Sequence, residues 1–206
     1  MKGGGYDTLA KSLLAALCAA LISGCTLLSP VENEIRVEMI DKLPLAIPQR
    51  ETHAATLLVL PPAINPAYDT VRMIYRVRPH QIDYFSKHEW GASPAEMLLP
   101  LLARTLERTH YFDAVITPPY FGPYSYALRT EILELTQDFT SDPATLHLSL
   151  RVQLTDGASN RIISTRAISL REPMLQNTPY AGVVAANDAS VKALQQVAGF
   201  VLETVQ

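Results

Sequence analysis

The sequence predicts one α/β domain of the α+β type, in which a mixed, mostly antiparallel sheet carries two main helices packed on one face. Three long strand-like segments follow one another late in the chain, at residues 126–139, 144–155 and 161–171. Two helical segments, residues 93–109 and 188–205, each carry a single apolar stripe. Such a stripe needs one sheet face and leaves the other side of the helix to water.

The composition indicates a globular domain and argues against a nucleic-acid-binding protein. The 206 residues suffice for one ordinary domain with small appendages. Hydrophobic residues make up 48% and charged residues 18%, with a formal net charge of −3. Residues 72–85 interleave arginines with aromatic side chains, as nucleic-acid-binding surfaces do. Proteins that bind phosphate backbones are usually basic over the binding domain, so the charge argues against nucleic acid as a partner.

The first residues have the pattern of a secretory signal peptide. Lys2 and Lys11 supply positive charge, and residues 12–23 form an apolar run of 12 residues. A membrane-spanning helix needs about 20 apolar residues, so this run is too short to span and fits the apolar region of a signal peptide. We therefore expect residues 1–24 to be absent from the mature protein.

The run ends in Ile22-Ser23-Gly24-Cys25, which resembles a bacterial lipobox. The small residues suit the signal peptidase, and the Cys25 thiol can carry lipid. The resemblance implies a lipid anchor on Cys25 with acyl chains such as palmitate, a tether at residues 25–34 and a folded domain at residues 35–206. Thr26 stands where an aspartate would retain a lipoprotein in the inner membrane, which implies the periplasmic face of the outer membrane. The alternative is a buried cysteine at the end of a core helix.

Cysteine usage agrees with this interpretation. Cys18 lies inside the leader and Cys25 at its end, and these are the two cysteines of the chain. The processed domain would hold neither a disulfide nor a free thiol. It would keep 15 Lys and Arg against 19 Asp and Glu, a formal charge of −4.

Shorter strands are expected before the three long ones. Residues 35–39 alternate apolar and polar side chains, the period of a half-buried strand, and residues 112–116 form another short strand. Residues 56–60 are a continuous apolar run closed by two prolines, which suits a central strand buried on both faces. Residues 156–160 contain Asp-Gly and turn the last two long strands into an antiparallel hairpin.

Residues 73–77 and 81–85 resemble a second hairpin, whose turn is Arg78-Pro79-His80. Alternation puts Arg72, Ile74 and Arg76 on one side of the strand and Met73, Tyr75 and Val77 on the other. The aromatic side chains are then expected in the core or in an interface.

The start of each helix has its own signal. Ser93 can cap the first helix, Pro94 suits its first position, and Glu96 can complete a capping box. The second helix is expected to begin at Asn187 or Asp188.

The sequence contains no recognisable catalytic or metal-binding motif. The five histidines lie in separate predicted elements and at no metal-ligand spacing; they are His53, His80, His88, His110 and His147. Nucleophile-elbow, phosphate-loop and dinucleotide-binding glycine motifs do not occur. We expect no catalytic residue, no metal and no cofactor, although a serine, a histidine and a carboxylate assembled in space would favour a small hydrolase.

Residues 117–125 are expected to form a loop, because they contain three prolines and a glycine. The loop also carries Tyr120, Phe121 and Tyr124. Exposed aromatic side chains commonly anchor a partner. The alternative is a loop folded back on its own core.

A run of motifs in the domain follows the order found in one protein family. The motifs are residues 57–62, 68–76, 81–85, 111–115 and 137–139, with Trp90, Pro94, Leu128, Arg129 and Asn187. On these residues the chain resembles the ABC-type transport auxiliary lipoprotein family, the lipoprotein partners of intermembrane transport systems that contain MCE-domain proteins.

The resemblance implies a non-enzymatic, lipid-anchored periplasmic component of an ABC/MCE-type lipid transport system. Its partners would be an MCE-domain periplasmic protein, the ABC permease and ATPase, and the membrane, and association into a homo-oligomer stays open. Tyr75 and Tyr84 would pack within the domain. The candidate partner contacts are Arg72, Arg76, Arg78, Tyr120, Phe121 and Tyr124. An envelope lipoprotein that regulates a peptidoglycan-synthesising enzyme is the other interpretation, beside the hydrolase.

Overall fold

Nine strands and two helices form residues 34–205, the part of the chain that the computed structural model describes. The strands are β1 (Arg36–Glu38), β2 (His53–Val59), β3 (Ala63–Ile64), β4 (Arg72–Arg76), β5 (Asp83–Trp90), β6 (Phe112–Ile116), β7 (Tyr126–Asp138), β8 (Thr145–Asp156) and β9 (Ile162–Pro173). The helices are α1 (Pro94–Glu107) and α2 (Pro179–Thr204). The expected leader and the candidate lipidation site Cys25 lie outside the described residues.

Strand β7 is the centre of a single mixed sheet. Along one edge it pairs with β8, which in turn pairs with β9, and both pairings are antiparallel. Along its other edge β7 pairs in parallel with β2, β3 and β4 in succession. Strand β6 extends the sheet beside β2, and β5 and β1 extend it beside β4. Most residue pairs are antiparallel, as predicted, because the two longest pairings are.

Both helices cover the same face of this sheet, which confirms the prediction. They contact each other, α2 lies on β8 and β9, and α1 lies against β6 and β2. Alternate side chains of β8 point into the shared core, and they are Leu146, Leu148, Leu150, Val152 and Leu154. The opposite face of the sheet carries the intervening polar side chains.

Helix α1 begins as predicted. The Ser93 hydroxyl accepts a hydrogen bond from the Glu96 backbone N–H at 3.4 Å, and the Glu96 carboxylate accepts one from the Ser93 backbone N–H at 2.9 Å. This capping box satisfies two backbone donors that the first helical turn leaves without partners.

The predicted start of the second helix is wrong. Helix α2 begins at Pro179, and Thr178 caps it by accepting a hydrogen bond from the Ala181 backbone N–H at 3.2 Å. Thr-Pro is itself a good start signal, with the cap before a proline in the first helical position. Asn187 is a residue type that often caps helices, but here its side chain forms hydrogen bonds with backbone groups of residues 39–42, which are distant in sequence.

The sidedness predicted for the first strand is reversed. The alternation at residues 35–39 is typical of a strand with its apolar side buried. Here Ile35, Val37 and Met39 are 52%, 64% and 46% exposed. The carboxylate of Glu38 lies inside instead, 2.9 Å from His88 Nδ1 on the neighbouring strand β5. The pairing with β5 decides this orientation, because it aligns Glu38 with the buried Trp90.

Candidate functional site

Arg76, a predicted partner contact, lies in an ion pair on the sheet face opposite the helices. The parallel pairing of β4 with β7 aligns it with Asp138. Arg76 Nε donates to Asp138 Oδ2 at 3.2 Å, and Nη2 donates to the same oxygen. Burial alone would raise the pKa of the Asp138 carboxyl, but the hydrogen bonds from Arg76 and Thr140 outweigh burial and hold that pKa at about 2. The carboxylate therefore stays ionised at neutral pH.

His147 and Glu134 complete a charged cluster, defined here as Arg76, Glu134, Asp138 and His147. The His147 ring nitrogens lie 3.7 Å from Glu134 Oε1 and 3.7 Å from Asp138 Oδ2. Burial lowers the pKa of His147 below its ordinary value, and the two carboxylates offset burial only in part. Sequence reasoning missed three of the four residues, because β7 and β8 show them only as polar positions in alternating strands.

The other two arginines have separate environments. The Arg72 guanidinium lies 3.9 Å from the centre of the Tyr84 ring, a cation–π contact between the two strands of the hairpin. Arg78 is exposed in the turn, where its carbonyl accepts a hydrogen bond from Gln81 at 3.4 Å. Arg72 and Arg78 are therefore exposed and available to a partner, whereas Arg76 is half-buried in its ion pair.

The aromatic loop has a fixed base and an exposed tip. The Ser125 backbone N–H donates to the Thr56 carbonyl at 2.9 Å, and the Gly157 backbone N–H donates to the Ser125 carbonyl at 2.8 Å. Tyr124 is half-buried, whereas Phe121 is 99% exposed. Both interpretations of this loop therefore apply in part: its base packs on the domain, and its tip presents a phenylalanine to solvent.

The two regions of predicted contacts do not come together. The aromatic loop leads into Tyr126, the first residue of β7, whereas Arg76 pairs with Asp138 at the last. Because a strand rises about 3.3 Å per residue, the two regions lie about 40 Å apart along β7. They belong to opposite ends of the sheet and cannot contact one small epitope together.

The described residues contain neither a group of possible metal ligands nor a helix able to span a membrane. Within residues 34–205, no three or more histidine, cysteine, aspartate or glutamate side chains are grouped so that they could hold a metal ion. Neither α1 nor α2 combines the length and the apolar content that crossing a bilayer requires.

Comparison with known proteins gives a family and a fold. The family model described as "ABC-type transport auxiliary lipoprotein component" matches residues 41–199. Among curated proteins, none matches the sequence.

Protein XCC0632 from Xanthomonas campestris has a crystal structure similar to this chain, with a TM-score of 0.70 and 20% identity over 82% of this chain and 95% of that chain. A second crystal structure, of an uncharacterized protein, has a TM-score of 0.62 and 12% identity over 74% of this chain and 99% of that one. At these identities the similarity shows the fold alone.

Proposed function

This chain belongs to the ABC-type transport auxiliary lipoprotein family, and on that premise we propose that it is a non-catalytic component of an ABC/MCE-type intermembrane lipid transport system. In this proposal Cys25 carries the lipid anchor, and the domain stands on the periplasmic face of the outer membrane. The domain binds the periplasmic part of an MCE-domain protein, which belongs with an ABC permease and ATPase.

The exposed tip of the aromatic loop is the observation that carries the proposal. A phenylalanine that is 99% exposed on a loop with a hydrogen-bonded base is available as a partner anchor. Aromatic anchors dominate the energy of protein interfaces, because they bury a large apolar area at little entropic cost. Phe121 is therefore the principal candidate contact, with Tyr120, which is 40% exposed, beside it.

The direction of the chain supports this role. Strand β1 is parallel to β5, β5 is antiparallel to β4, and β4 is parallel to β7, so β1 runs antiparallel to β7. The described chain thus begins near the level of the last residues of β7, whereas Phe121 lies before its first residue. A domain anchored through its N-terminal side would direct Phe121 away from the membrane, toward a component that spans the periplasm.

Co-purification of the full-length protein with any MCE-domain protein encoded beside it tests the proposal. We expect Phe121→Asp to weaken this complex by about thirtyfold, the effect of losing an interface anchor. Leu45→Asp is the matched control, because Leu45 is 96% exposed and lies outside the loop. If no MCE-domain protein binds, and a peptidoglycan synthase binds instead, the alternative interpretation as a regulator of that enzyme is correct.

The lipid anchor has a separate test. Mass spectrometry of the membrane-extracted protein should find a mature chain that begins at lipidated Cys25. Cys25→Ser should abolish the modification and release the domain from the membrane or leave the signal peptide uncut, because each buried CH₂ of an acyl chain contributes about 0.8 kcal/mol to membrane binding. An unmodified chain that begins at Met1 would refute the anchor.

A further inference from the structure

A second exposed apolar surface lies at the end of the sheet opposite Phe121. We call it the proximal apolar face, and it consists of Ile35, Val37, Met39, Leu175, Tyr180 and Val184. These side chains are between 40% and 91% exposed. They come from β1 and the residue on either side of it, from the loop before α2, and from the first turns of α2.

Grooves and close contacts connect five of the six members of this face, and Ile35 lies two residues before Val37 in the alternating segment. One groove is lined by Met39, Tyr180 and Val184, and an adjoining groove is lined by Leu175, Tyr180 and Val184. Val37 lies beside Met39, since both side chains approach Gly91. A contiguous apolar surface with a polar rim is typical of an interaction site.

The orientation of β1 is a second indication that this surface has an occupant. Its apolar side faces solvent, while Glu38 on its other side lies within the domain. An apolar side of a strand is normally buried against a partner layer. Among residues 34–205 no such layer covers Ile35, Val37 and Met39.

Charge around the face indicates the chemistry of that occupant. Lys42 pairs with Asp188 at 2.6 Å, and Lys192 pairs with Glu172 at 2.7 Å. Anionic membranes attract clusters of lysine and arginine that are free to meet the headgroups. Arg36 in β1 and Asp41 after it are exposed and have opposite charges. The rim therefore offers no excess of positive charge to anionic headgroups, and the face suits a surface with no net charge.

The position of the start of β1, close to the proposed lipid anchor, favours a membrane as the occupant of the face. We propose that the proximal apolar face docks on the surface of a zwitterionic phospholipid bilayer, an inference that rests on the proposed lipid anchor at Cys25. The chain from Cys25 to Ile35 spans at most about 35 Å when fully extended. The start of β1 lies level with about residue 135 of β7. If Phe121 faced the bilayer instead, the start of β1 would stand about 30 Å above the start of β7, and most of the reach of the tether would be used.

The test uses the mature lipidated protein, extracted from membranes, in phosphatidylcholine vesicles. Leu175→Cys carries an environment-sensitive fluorophore, and Phe121→Cys with the same fluorophore is the matched control at the other end of the sheet. Both native residues are more than 90% exposed, so neither replacement disturbs packing. With Cys18 removed and Cys25 lipidated, the introduced thiol is the labelling site.

We expect the label at position 175 to shift to shorter wavelength and to be quenched by spin-labelled lipids, with no loss at high salt. The label at position 121 should keep the emission wavelength that it has in water and should not be quenched by the spin-labelled lipids. Adding Tyr180→Glu to the Leu175→Cys protein should reduce the quenching about tenfold, because it removes an apolar ring from the face and adds a charge.

Three outcomes overturn the proposal. Vesicle-bound protein with both labels in water refutes the docking face but leaves the anchor and the proposed function intact. Protein that does not float with the vesicles and is labelled at Cys25 refutes the anchor, and the docking face falls with it. A shift at position 175 that grows with protein density and resists lipid quenching shows that a second copy of the chain, rather than lipid, covers the face.

Discussion

Asn187 and Asp41 are joined by a 3.0 Å hydrogen bond from the Asp41 backbone N–H to Asn187 Oδ1, across 146 residues of sequence. The same oxygen accepts from the Lys42 backbone N–H at 3.1 Å. Asn187 Nδ2 donates to the Met39 carbonyl at 2.9 Å and to the Val183 carbonyl at 3.1 Å. One side chain in the middle of α2 thus pairs three backbone groups of the segment that follows β1, and it holds the proximal apolar face together.

We expect Asn187→Ala to lower the free energy of unfolding by about 2 kcal/mol, because it leaves three backbone groups without their partner. Urea denaturation of the purified protein measures this change. Gln196→Ala is the control on the same helix, since Gln196 is exposed, and it should alter stability by less than about 0.5 kcal/mol. Equal midpoints for the two variants would show that Asn187 contributes nothing to stability.

Alanine substitutions at two glycines of α2 should change the stability of the protein in opposite directions. A Cβ at Gly182 would overlap the side-chain amide of Gln137, so Gly182→Ala should destabilise the protein by about 1–3 kcal/mol. At Gly199 the nearest atom to a Cβ is Glu203 Oε1 at 3.9 Å, so Gly199→Ala should stabilise it by about 0.5–1 kcal/mol through helix propensity. Thermal denaturation compares the pair, and a loss of similar size in both would contradict the packing at Gly182.

The Arg76–Asp138 pair should make stability depend on acid pH. Because the folded-state pKa of Asp138 is about 2, below its ordinary value of 3.8, the pair stabilises the fold above about pH 4 and loses this effect as the pH falls toward 2. The difference corresponds to about 2 kcal/mol. Arg76→Ala should therefore lower stability at pH 7 and approach wild type near pH 2 in urea titrations. Arg78→Ala is the exposed control, and a constant gap between Arg76→Ala and wild type at every pH would argue against the pair.

His147 should destabilise the protein when the medium is mildly acidified. Burial lowers the pKa of the folded-state imidazole, so below its ordinary value of 6.5 the unfolded chain binds a proton that the folded chain does not. Stability is then full above about pH 6.5 and falls as the pH drops toward the lowered pKa. His147→Gln should flatten this part of the curve, whereas His80→Asn, at an exposed turn position with φ of 64°, should not. A curve unchanged by His147→Gln would assign the dependence to another group.

Local sequence signals predicted much of the fold. The bounds of β6 match the prediction, and the antiparallel hairpins β4–β5 and β8–β9 follow from turn residues between alternating segments. The capping box at Ser93 predicted α1, because caps act on backbone groups only a few residues away. The prediction for the start of α2 is wrong because it also relied on a local signal. Asn187 is a residue type that caps helices, but its side chain binds the segment after β1, which is distant in sequence.

The arrangement of the candidate site was harder to predict from the sequence than the fold. The composition of residues 117–125 predicts an aromatic loop, but it does not predict that Phe121 is exposed while Tyr124 is half-buried. The hydrogen bonds that fix the base of the loop come from β2 and from the turn after β8, both distant in sequence.

The family, the α+β class, the single apolar stripe of each helix and the alternation of each strand can all be predicted from the amino-acid sequence. These features depend on residues within a few positions of one another, so their period and their caps are visible in a single chain. The tertiary structure alone decided which side of β1 faces inward, which carboxylate meets Arg76, and that the arginines and the aromatic loop lie at opposite ends of β7. Strand partners and register decide these relationships, and both arise from contacts between segments that are far apart in the sequence.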